Sequence, residues 1–156
     1  MADVVAPATR SRMMAGIKGA NTKPELVLRS ALHRRGFRFR LHRRDLPGRP
    51  DMVFPRRHAV LFAHGCFWHR HDCPLFKWPS TRPEFWREKL NGNVERDRRQ
   101  VAALREAGWR VGIVWECALK GRGKLPFEHV VEQCATWLAS DEPGLDIHGD
   151  WTRQAR

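Results

Sequence analysis

The sequence predicts a single small α/β domain in which a central sheet is flanked by helices. Helical and strand patterns follow one another in the order helix, strands, helix, strand, helix, which is typical of a layered α/β fold. The 156 residues suffice for one hydrophobic core, and 42% of them are hydrophobic, as in ordinary globular domains. We expect an N-terminal arm over 1–20, the folded domain over 21–140 and a tail over 141–156.

The first helix is predicted over 23–35. Four apolar side chains recur there at helical spacing, namely Val27, Leu28, Ala31 and Leu32. Gly36 can end this helix, because glycine readily adopts the left-handed conformation that follows a last turn. A strand is expected around 37–42, and the segment LPGRP over 46–50 predicts a turn.

A β-hairpin is predicted from two short, β-prone runs, DMVF over 51–54 and AVLFAH over 59–64. The segment PRRH over 55–58 supplies the turn between them. The next segment, 65–80, is rich in Cys, His and aromatic residues and follows neither the helical nor the strand period. It is therefore interpreted as a loop that something other than its own backbone hydrogen bonds must hold.

The second half of the chain predicts two helices around a buried strand. A long charged helix is expected over 82–107 and ends at Gly108, and WRVGIVWE over 109–116 reads as the strand. The segment FEHVVEQCATWLA over 127–139 predicts the closing helix. No element is predicted over 141–156, which lacks either period.

The charge balance favours a polyanionic partner. Lys and Arg total 29 against 17 Asp and Glu, which gives a net charge of +12. Nucleic acid is the commonest soluble partner for such a compact basic domain, although charge can also serve solubility alone. The sequence contains no apolar run long enough to span a membrane and no secretory signal, so we expect a cytoplasmic protein. In a reducing cytosol its four cysteines indicate metal ligands or free thiols.

The segment GCFWHRHDC places Cys66, His71 and Cys73 within eight residues, which predicts a zinc site. The fourth ligand must come from elsewhere, and Cys117 would lie beside the end of AVLFAH if the two strands pair. Cys134 is expected in the core of a helix instead. Three further histidines compete as ligands: His64, His69 and, more weakly, His58. Two close cysteines with a third available favour a closed structural site over a catalytic one.

Two carboxylates and a histidine are candidates for chemistry. Asp51 opens an apolar strand, either as a turn residue or facing a metal or a cation. Asp97 takes the vacant place in the helical stripe of Leu90, Val94, Val101 and Leu104, so it needs a salt-bridge partner, a histidine or a metal. His69 can accept a proton from water near neutral pH, and carboxylate-bound Mg²⁺ can polarise a phosphate.

Two segments are candidates for DNA contact. Phe67 and Trp68 are either a core plug or an apolar wedge that enters a base step, which costs least at mismatched bases. The segment TRSRMMAGIKG over 9–19 is either a basic arm with an apolar tip or a helix packed on the core. The arginines over 82–110 are interpreted as a solvated face that also follows phosphates.

Six motifs together resemble those of the very-short-patch-repair (Vsr) DNA mismatch endonuclease family, from residue 8 to about 140. They are TRSRMMAGIKGANTKPE, LPGRPDMVF, HGCFWHRHDC, FWREK, NVERDRR and GWRVGIVWECAL. The resemblance implies a fold like that of type II restriction endonucleases. It also implies an enzyme that nicks 5′ of the T in a T:G mismatch, the lesion left by deamination of 5-methylcytosine.

The same resemblance assigns the catalytic roles. Asp51 would bind Mg²⁺ and His69 would be the general base, supported by Asp97. Glu25 and His64 would be secondary site residues. The main-chain carbonyl of residue 63 would also face Mg²⁺, a role that tolerates the Ala63 found where a family member has Thr. The zinc ligands would be Cys66, His71, Cys73 and Cys117.

The resemblance also assigns DNA contacts and partners. Phe67 and Trp68 would intercalate beside the mismatch, Met14 and Ile17 would approach from the other groove, and Trp86 and Lys89 would contact the mispair. The partners would be mismatched double-stranded DNA and mismatch-repair proteins, with the enzyme a nucleoid-associated monomer. The alternatives are a restriction-type endonuclease that cuts both strands and a zinc-containing DNA-binding module without catalysis.

Overall fold

The computed structural model describes residues 23–151. Its elements in chain order are α1 (Lys23–Arg34), β1 (Arg40–Leu41), β2 (Met52–Phe54), β3 (Ala59–His64), α2 (Pro83–Glu106), β4 (Arg110–Trp115), α3 (Glu116–Leu119), α4 (Phe127–Leu138) and β5 (Gly144–Ile147). The predicted arm over 1–20 and the last five residues lie outside the described part of the chain. Every helix and strand predicted over 23–139 is confirmed, with ends within one or two residues except at β1, which is shorter.

The five strands form one mixed sheet in the order β1-β2-β3-β4-β5. β1, β2 and β3 pair antiparallel, so the predicted hairpin is confirmed, with a 3₁₀ turn over Pro55–Arg57 between its strands. β3, β4 and β5 pair parallel, and α2 belongs to the crossover from β3 to β4. This pairing puts His64 opposite Trp115, so the residues that follow β3 and β4 emerge at the same edge of the sheet.

Helices cover both faces of the sheet, as predicted. α1 and α4 pack on one face through the following buried side chains: Leu28, Leu32, Leu61, Val130 and Leu138. α2 packs on the other face through a second set: Val53, Val60, Phe62, Leu104 and Val111. Burial on both faces explains why β2 and β3 read as continuous apolar runs. Among the described residues, no helix is both long enough and apolar enough to span a membrane.

Two details differ from the sequence predictions. Val27 was predicted in the buried stripe of α1 but is 41% exposed, and Glu25, at 1% exposure, lies on the buried face with Leu28 and Leu32. Leu28 follows Glu25 by three residues and Leu32 follows Leu28 by four, so the three side chains share one helix face and the carboxylate points inward. β5 was not predicted, because its run GLDI carries only a short apolar signal; it joins the sheet beside β4.

Arg110 holds the end of α4 against the start of β4. Its guanidinium donates to the main-chain carbonyls of Trp137, Leu138, Glu142 and Arg57, at 3.0 to 3.3 Å.

We expect Arg110→Ala to lower the free energy of unfolding by about 2 kcal/mol, because several carbonyls lose a charged donor. Denaturant unfolding measures this loss. Arg98→Ala, which removes only an exposed pair with Glu95, should stay within about 0.5 kcal/mol of the parent, and an equal loss in both variants would contradict the assignment.

Candidate active site and metal centre

Asp51 lies at the start of β2, where two further polar side chains meet it. Its Oδ2 accepts a hydrogen bond from the main-chain N–H of Ala63 at 2.6 Å. Its Oδ1 lies 3.8 Å from Nε2 of His42, and that nitrogen donates to Oε2 of buried Glu25 at 2.7 Å. Glu25 also accepts from Arg29 at 3.1 Å. The structure thus brings two carboxylates and an imidazole to one point beside β3.

The electrostatics of this cluster favour a bound cation. Burial raises the pKa of Asp51 to about 7, and the nearby Glu25 carboxylate adds to the rise. Candidate ligand atoms of Glu25, His42 and Asp51 lie within 4.8 Å of one another. In a strand the N–H and C=O of one residue leave on the same side, so the Ala63 carbonyl points to the side of Asp51. These hard oxygen donors fit Mg²⁺.

His69 and Asp97 form a second pair, on the loop after β3 and on α2. Nδ1 of His69 donates to Oδ2 of Asp97 at 2.5 Å, and both side chains are about one quarter exposed. The helical stripe that predicted an inward Asp97 is confirmed, since Leu90 and Leu104 on the same face are fully buried. The carboxylate fixes the proton on Nδ1 and leaves Nε2 able to accept one.

Asp97→Asn tests this pair. The family resemblance implies an endonuclease, and on that expectation DNA cleavage by the variant should fall about 10² to 10⁴-fold, because an amide no longer selects the tautomer or stabilises the imidazolium. Single-turnover cleavage of labelled DNA at several pH values measures the effect, and DNA binding should stay unchanged. Glu95→Gln on the exposed face of the same helix is the matched control. A variant as fast as the control would show that His69 acts without Asp97.

His64 is the buried neighbour of this pair. Its ring stacks on that of His69 with centroids 3.7 Å apart and planes 5° apart. Burial holds the pKa of His64 well below its ordinary value, and the neighbouring His69 and His71 add to this, so the ring is neutral. Among the described residues, Nδ1 of His64 is a buried atom with no hydrogen-bond partner. His64 therefore supports the His69 ring by stacking.

A basic cleft of about 510 Å³ joins the two clusters. Asp51, Ala63, His69 and Asp97 line it together. The other polar side chains on its wall are His42, Arg44, Arg49, His64, Arg96 and Gln100. Guanidinium groups bind phosphate oxygens in a fixed, often bidentate geometry. The cleft can therefore hold a phosphodiester between cationic side chains and the carboxylates.

The second site is a cluster of three cysteines and one histidine at the edge where β3 and β4 end. Its members are Cys66, His71, Cys73 and Cys117, whose candidate ligand atoms all lie within 4.8 Å of one another. Nδ1 of His71 lies 3.6 Å from Sγ of Cys66 and 3.5 Å from Sγ of Cys117. Cys117 lies in α3, which directly follows β4, and the parallel pairing of β3 with β4 places it beside the loop after β3.

This geometry fits zinc. Tetrahedral Zn²⁺ with bonds of about 2.3 Å to sulfur and about 2.1 Å to nitrogen has S···N edges of about 3.6 Å. Hydrogen bonding with Cys66 lowers the pKa of Cys117 to about 5 and raises that of Cys66, so one thiol already favours the ligating thiolate. Cys134 is not part of the cluster; it is fully buried among apolar side chains, and burial raises its pKa to about 12.

Trp115 connects the two sites. Its ring stacks on that of His71 with centroids 4.0 Å apart and also meets the edge of His64 at 5.2 Å. Its Nε1 donates to Asp146 of β5 at 3.3 Å. One indole at the end of β4 therefore contacts the histidine of the cysteine cluster and a histidine of the cleft.

The aromatic residues of the loop are half-buried in a shared cluster. Phe67 contacts Trp68 at 5.1 Å, and Trp86 of α2 contacts Phe67 at 5.4 Å and Trp68 at 5.9 Å between ring centroids. Asn93 donates to the Trp68 carbonyl at 2.9 Å, which ties the loop to α2. Lys89 follows Trp86 by one helical turn. The cluster is neither a core plug nor a fully exposed wedge.

Comparisons with known proteins show to which family the chain belongs. A model of the family described as DNA mismatch endonuclease Vsr matches residues 2–75. DNA mismatch endonuclease Vsr of Escherichia coli strain K12 is 52% identical over 147 residues, which are 94% of this chain and 94% of that protein. The chain belongs to the Vsr family of DNA mismatch endonucleases.

Other relatives of this Vsr-family chain are named as nicking enzymes. Type II nicking enzyme V.XorIIP of Xanthomonas oryzae pv. oryzae is 50% identical over 125 residues, which cover 80% of this chain and 92% of that protein. Type II nicking enzyme V.NmeAIP of Neisseria meningitidis is 38% identical over 122 residues, covering 78% and 87%. The likeness to enzymes that cut DNA therefore extends over most of the chain.

Some site residues of this Vsr-family chain could not be found from the sequence pattern. His42 has a φ of 48° on the short segment after β1, and its reach to Glu25 and Asp51 depends on that backbone. The cleft residues Arg44 and Arg49 belong to the same irregular stretch between β1 and β2, which has no period to indicate where they point. Met14 and Ile17, predicted as DNA contacts, lie outside the described residues.

Proposed function

We propose that this Vsr-family endonuclease cuts one strand of DNA on the 5′ side of the T in a T:G mismatch, in repair of deaminated 5-methylcytosine. The observation that carries the proposal is the meeting of Asp51, His69 and Asp97 in one basic cleft beside a loop that a metal can hold rigid. The names of the relatives, a mismatch endonuclease and nicking enzymes, support the substrate and the single-strand outcome.

The residues of the cleft have separate roles in the proposed hydrolysis of the phosphodiester. His69, with its proton fixed on Nδ1 by Asp97, takes a proton from the attacking water at Nε2. Arg44, Arg49 and Arg96 line the cleft where the phosphodiester would lie. Asp51 and the Ala63 carbonyl would hold Mg²⁺, which polarises the phosphate and offsets its developing charge when bound.

Recognition of the mismatch is assigned to the aromatic loop and to α2. We propose that Phe67 and Trp68 enter the base step beside the mispair, since opening a step costs least where bases pair poorly. Their contact with Trp86 supports a stiff wedge, and Trp86 and Lys89 would contact the mispair. Met14 and Ile17, on the proposed arm over 1–20, would approach from the other groove.

The metal centre and the wider setting complete the proposal. Zn²⁺ held by Cys66, His71, Cys73 and Cys117 would be structural, because a set of four protein ligands leaves no open position for chemistry. The mixed sheet flanked by helices supports a restriction-endonuclease-like fold. We further propose a monomer that acts on the nucleoid beside mismatch-repair proteins.

Cleavage of defined duplexes tests the proposed function. End-labelled duplexes with one T:G mismatch in varied contexts, and T:A controls, are incubated with enzyme and Mg²⁺ or with EDTA. We expect one nick 5′ of the mismatched T that EDTA abolishes. Cuts in both strands of matched DNA would instead show a restriction-type endonuclease. Binding without cleavage in every context would show a DNA-binding module.

A further inference from the structure

The segment after β5 folds back onto the cysteine cluster. The main-chain N–H of Gly149 donates to Sγ of Cys117 at 3.2 Å, although the two residues are 32 positions apart. The next residue is held as well, because the N–H of Asp150 donates to the carbonyl of Gly123 at 2.7 Å. The C-terminal segment therefore reaches a sulfur atom of the metal centre directly.

Only glycine fits where the chain passes this sulfur. A Cβ on residue 149 would lie 2.4 Å from the carbonyl oxygen of Cys117 and 2.7 Å from that of Gly123. Real Cβ atoms do not approach backbone oxygens so closely, and neither backbone segment can move as a flexible side chain could. The buried Gly149 thus permits an approach that every other residue would prevent.

The charge of the four ligands explains why an N–H donor close to Sγ of Cys117 would be favourable. Three thiolates and one imidazole leave a bound divalent ion with excess negative charge on its sulfurs. The N–H of Cys117 donates to Sγ of Cys66 at 3.3 Å, so one sulfur already has a donor from inside the cluster. Sγ of Cys117 receives its donor from Gly149. Such outer hydrogen bonds disperse thiolate charge and orient ligands, and their loss typically costs 10 to 100-fold in metal affinity.

We propose that Gly149 is a positioning residue of the metal centre, so that β5 and residues 148–151 help to retain the metal through the N–H···S bond to Cys117. This inference rests on the proposed four-ligand site. The proposal makes the segment that follows α4 part of the metal centre, although this segment contains no cysteine. Gly149 acts through Cys117 by its main-chain N–H and is not itself one of the four ligands.

Nuclear magnetic resonance of the intact chain loaded with cadmium-113 tests the proposal without any substitution. We expect a proton–cadmium correlation from the amide of Gly149, transmitted through its hydrogen bond to Cys117, beside correlations from the ligand residues themselves. Ligand correlations without one from Gly149 would overturn this inference and leave the four-ligand site intact. Failure of cadmium to bind the four ligands would overturn both.

A substitution measures what the bond contributes. In Gly149→Ala we expect a chromogenic chelator to withdraw the metal at least about 10-fold faster than from the parent. The matched control is Gly92→Ala on α2, where an added Cβ meets no atom within 4 Å and metal release should be unchanged. Far-ultraviolet circular dichroism confirms that each variant is folded. A folded Gly149→Ala that keeps its metal as the parent does would overturn the proposal.

Discussion

Asp51→Asn is expected to lower the rate of DNA cleavage by at least about 10³-fold. The substitution keeps the size of the side chain and removes the charged oxygen that we propose as a Mg²⁺ ligand, and a catalytic metal contributes several kcal/mol of charge stabilisation. Single-turnover cleavage of a T:G duplex measures the rate at saturating enzyme. DNA binding without Mg²⁺ should be at least as tight as in the parent, because one negative charge leaves a basic cleft.

The control for this variant is Asp45→Asn. Asp45 lies nearby in sequence, is paired with Arg43 at the surface and has an exposed side chain, so its loss should leave cleavage within about twofold. Cleavage by Asp51→Asn within tenfold of the parent would refute the metal-ligand role of Asp51.

The raised pKa of Asp51 also predicts that the inactive variant gains stability. Without bound Mg²⁺ this pKa is about 7, against 3.8 for an unperturbed Asp. Between these values the folded state binds more protons than the unfolded state, so stability falls as pH rises from about 4 to about 7. At pH 8, with the cysteine cluster loaded with zinc and no Mg²⁺ added, we therefore expect Asp51→Asn to unfold at higher denaturant concentration than the parent, and the difference should vanish near pH 4.

Removal of the proposed zinc ion has the second largest expected effect. Structural zinc contributes on the order of 10 kcal/mol to folding, which is comparable with the whole stability of a typical domain. We expect Cys73→Ala, or exhaustive chelation, to abolish the cooperative unfolding transition. Metal analysis and near-ultraviolet circular dichroism report the loss, since Trp115 lies against His71.

Cys134→Ala separates this effect from the mere loss of a thiol. Cys134 is buried in α4 and behaves as a small apolar side chain. The variant should keep one equivalent of zinc and a cooperative transition. If Cys73→Ala also keeps both, the cluster is not a structural metal site.

Local spacing explains most of what the sequence could predict. The close positions of Cys66, His71 and Cys73 predicted a metal-binding loop without knowledge of the fold, and the structure brings these side chains together. Asp97 was predicted to point inward because helical periodicity identifies a vacant place in a stripe. Cys117 needed one further step, the pairing of β3 with β4, which the prediction from sequence took as a condition and which the structure shows to be parallel.

The remaining features could not be predicted, because they depend on contacts between residues that are distant in the sequence. Glu25 is buried because it shares a helix face with Leu28, yet an acidic residue there reads as a solvent-facing or capping residue. His42 reaches Glu25 only through a left-handed backbone. The short run GLDI forms the strand β5 because it can pair with the free edge of β4. The role of Gly149 depends on its contact with Cys117, which is distant in sequence.

The cysteine cluster also closes the chain on itself. Cys66 and Cys117 are 51 positions apart, and α2 lies entirely between them. A metal that joins them would act as a cross-link. It would lower the conformational entropy of the unfolded chain and thereby stabilise the folded state by about 4 kcal/mol. This free energy changes only logarithmically with length, so inserting residues between α2 and β4 would hardly weaken the cross-link. The constraint on length is instead the contact of Asp97 with His69, because the chain between the loop after β3 and α2 must keep these two side chains in contact.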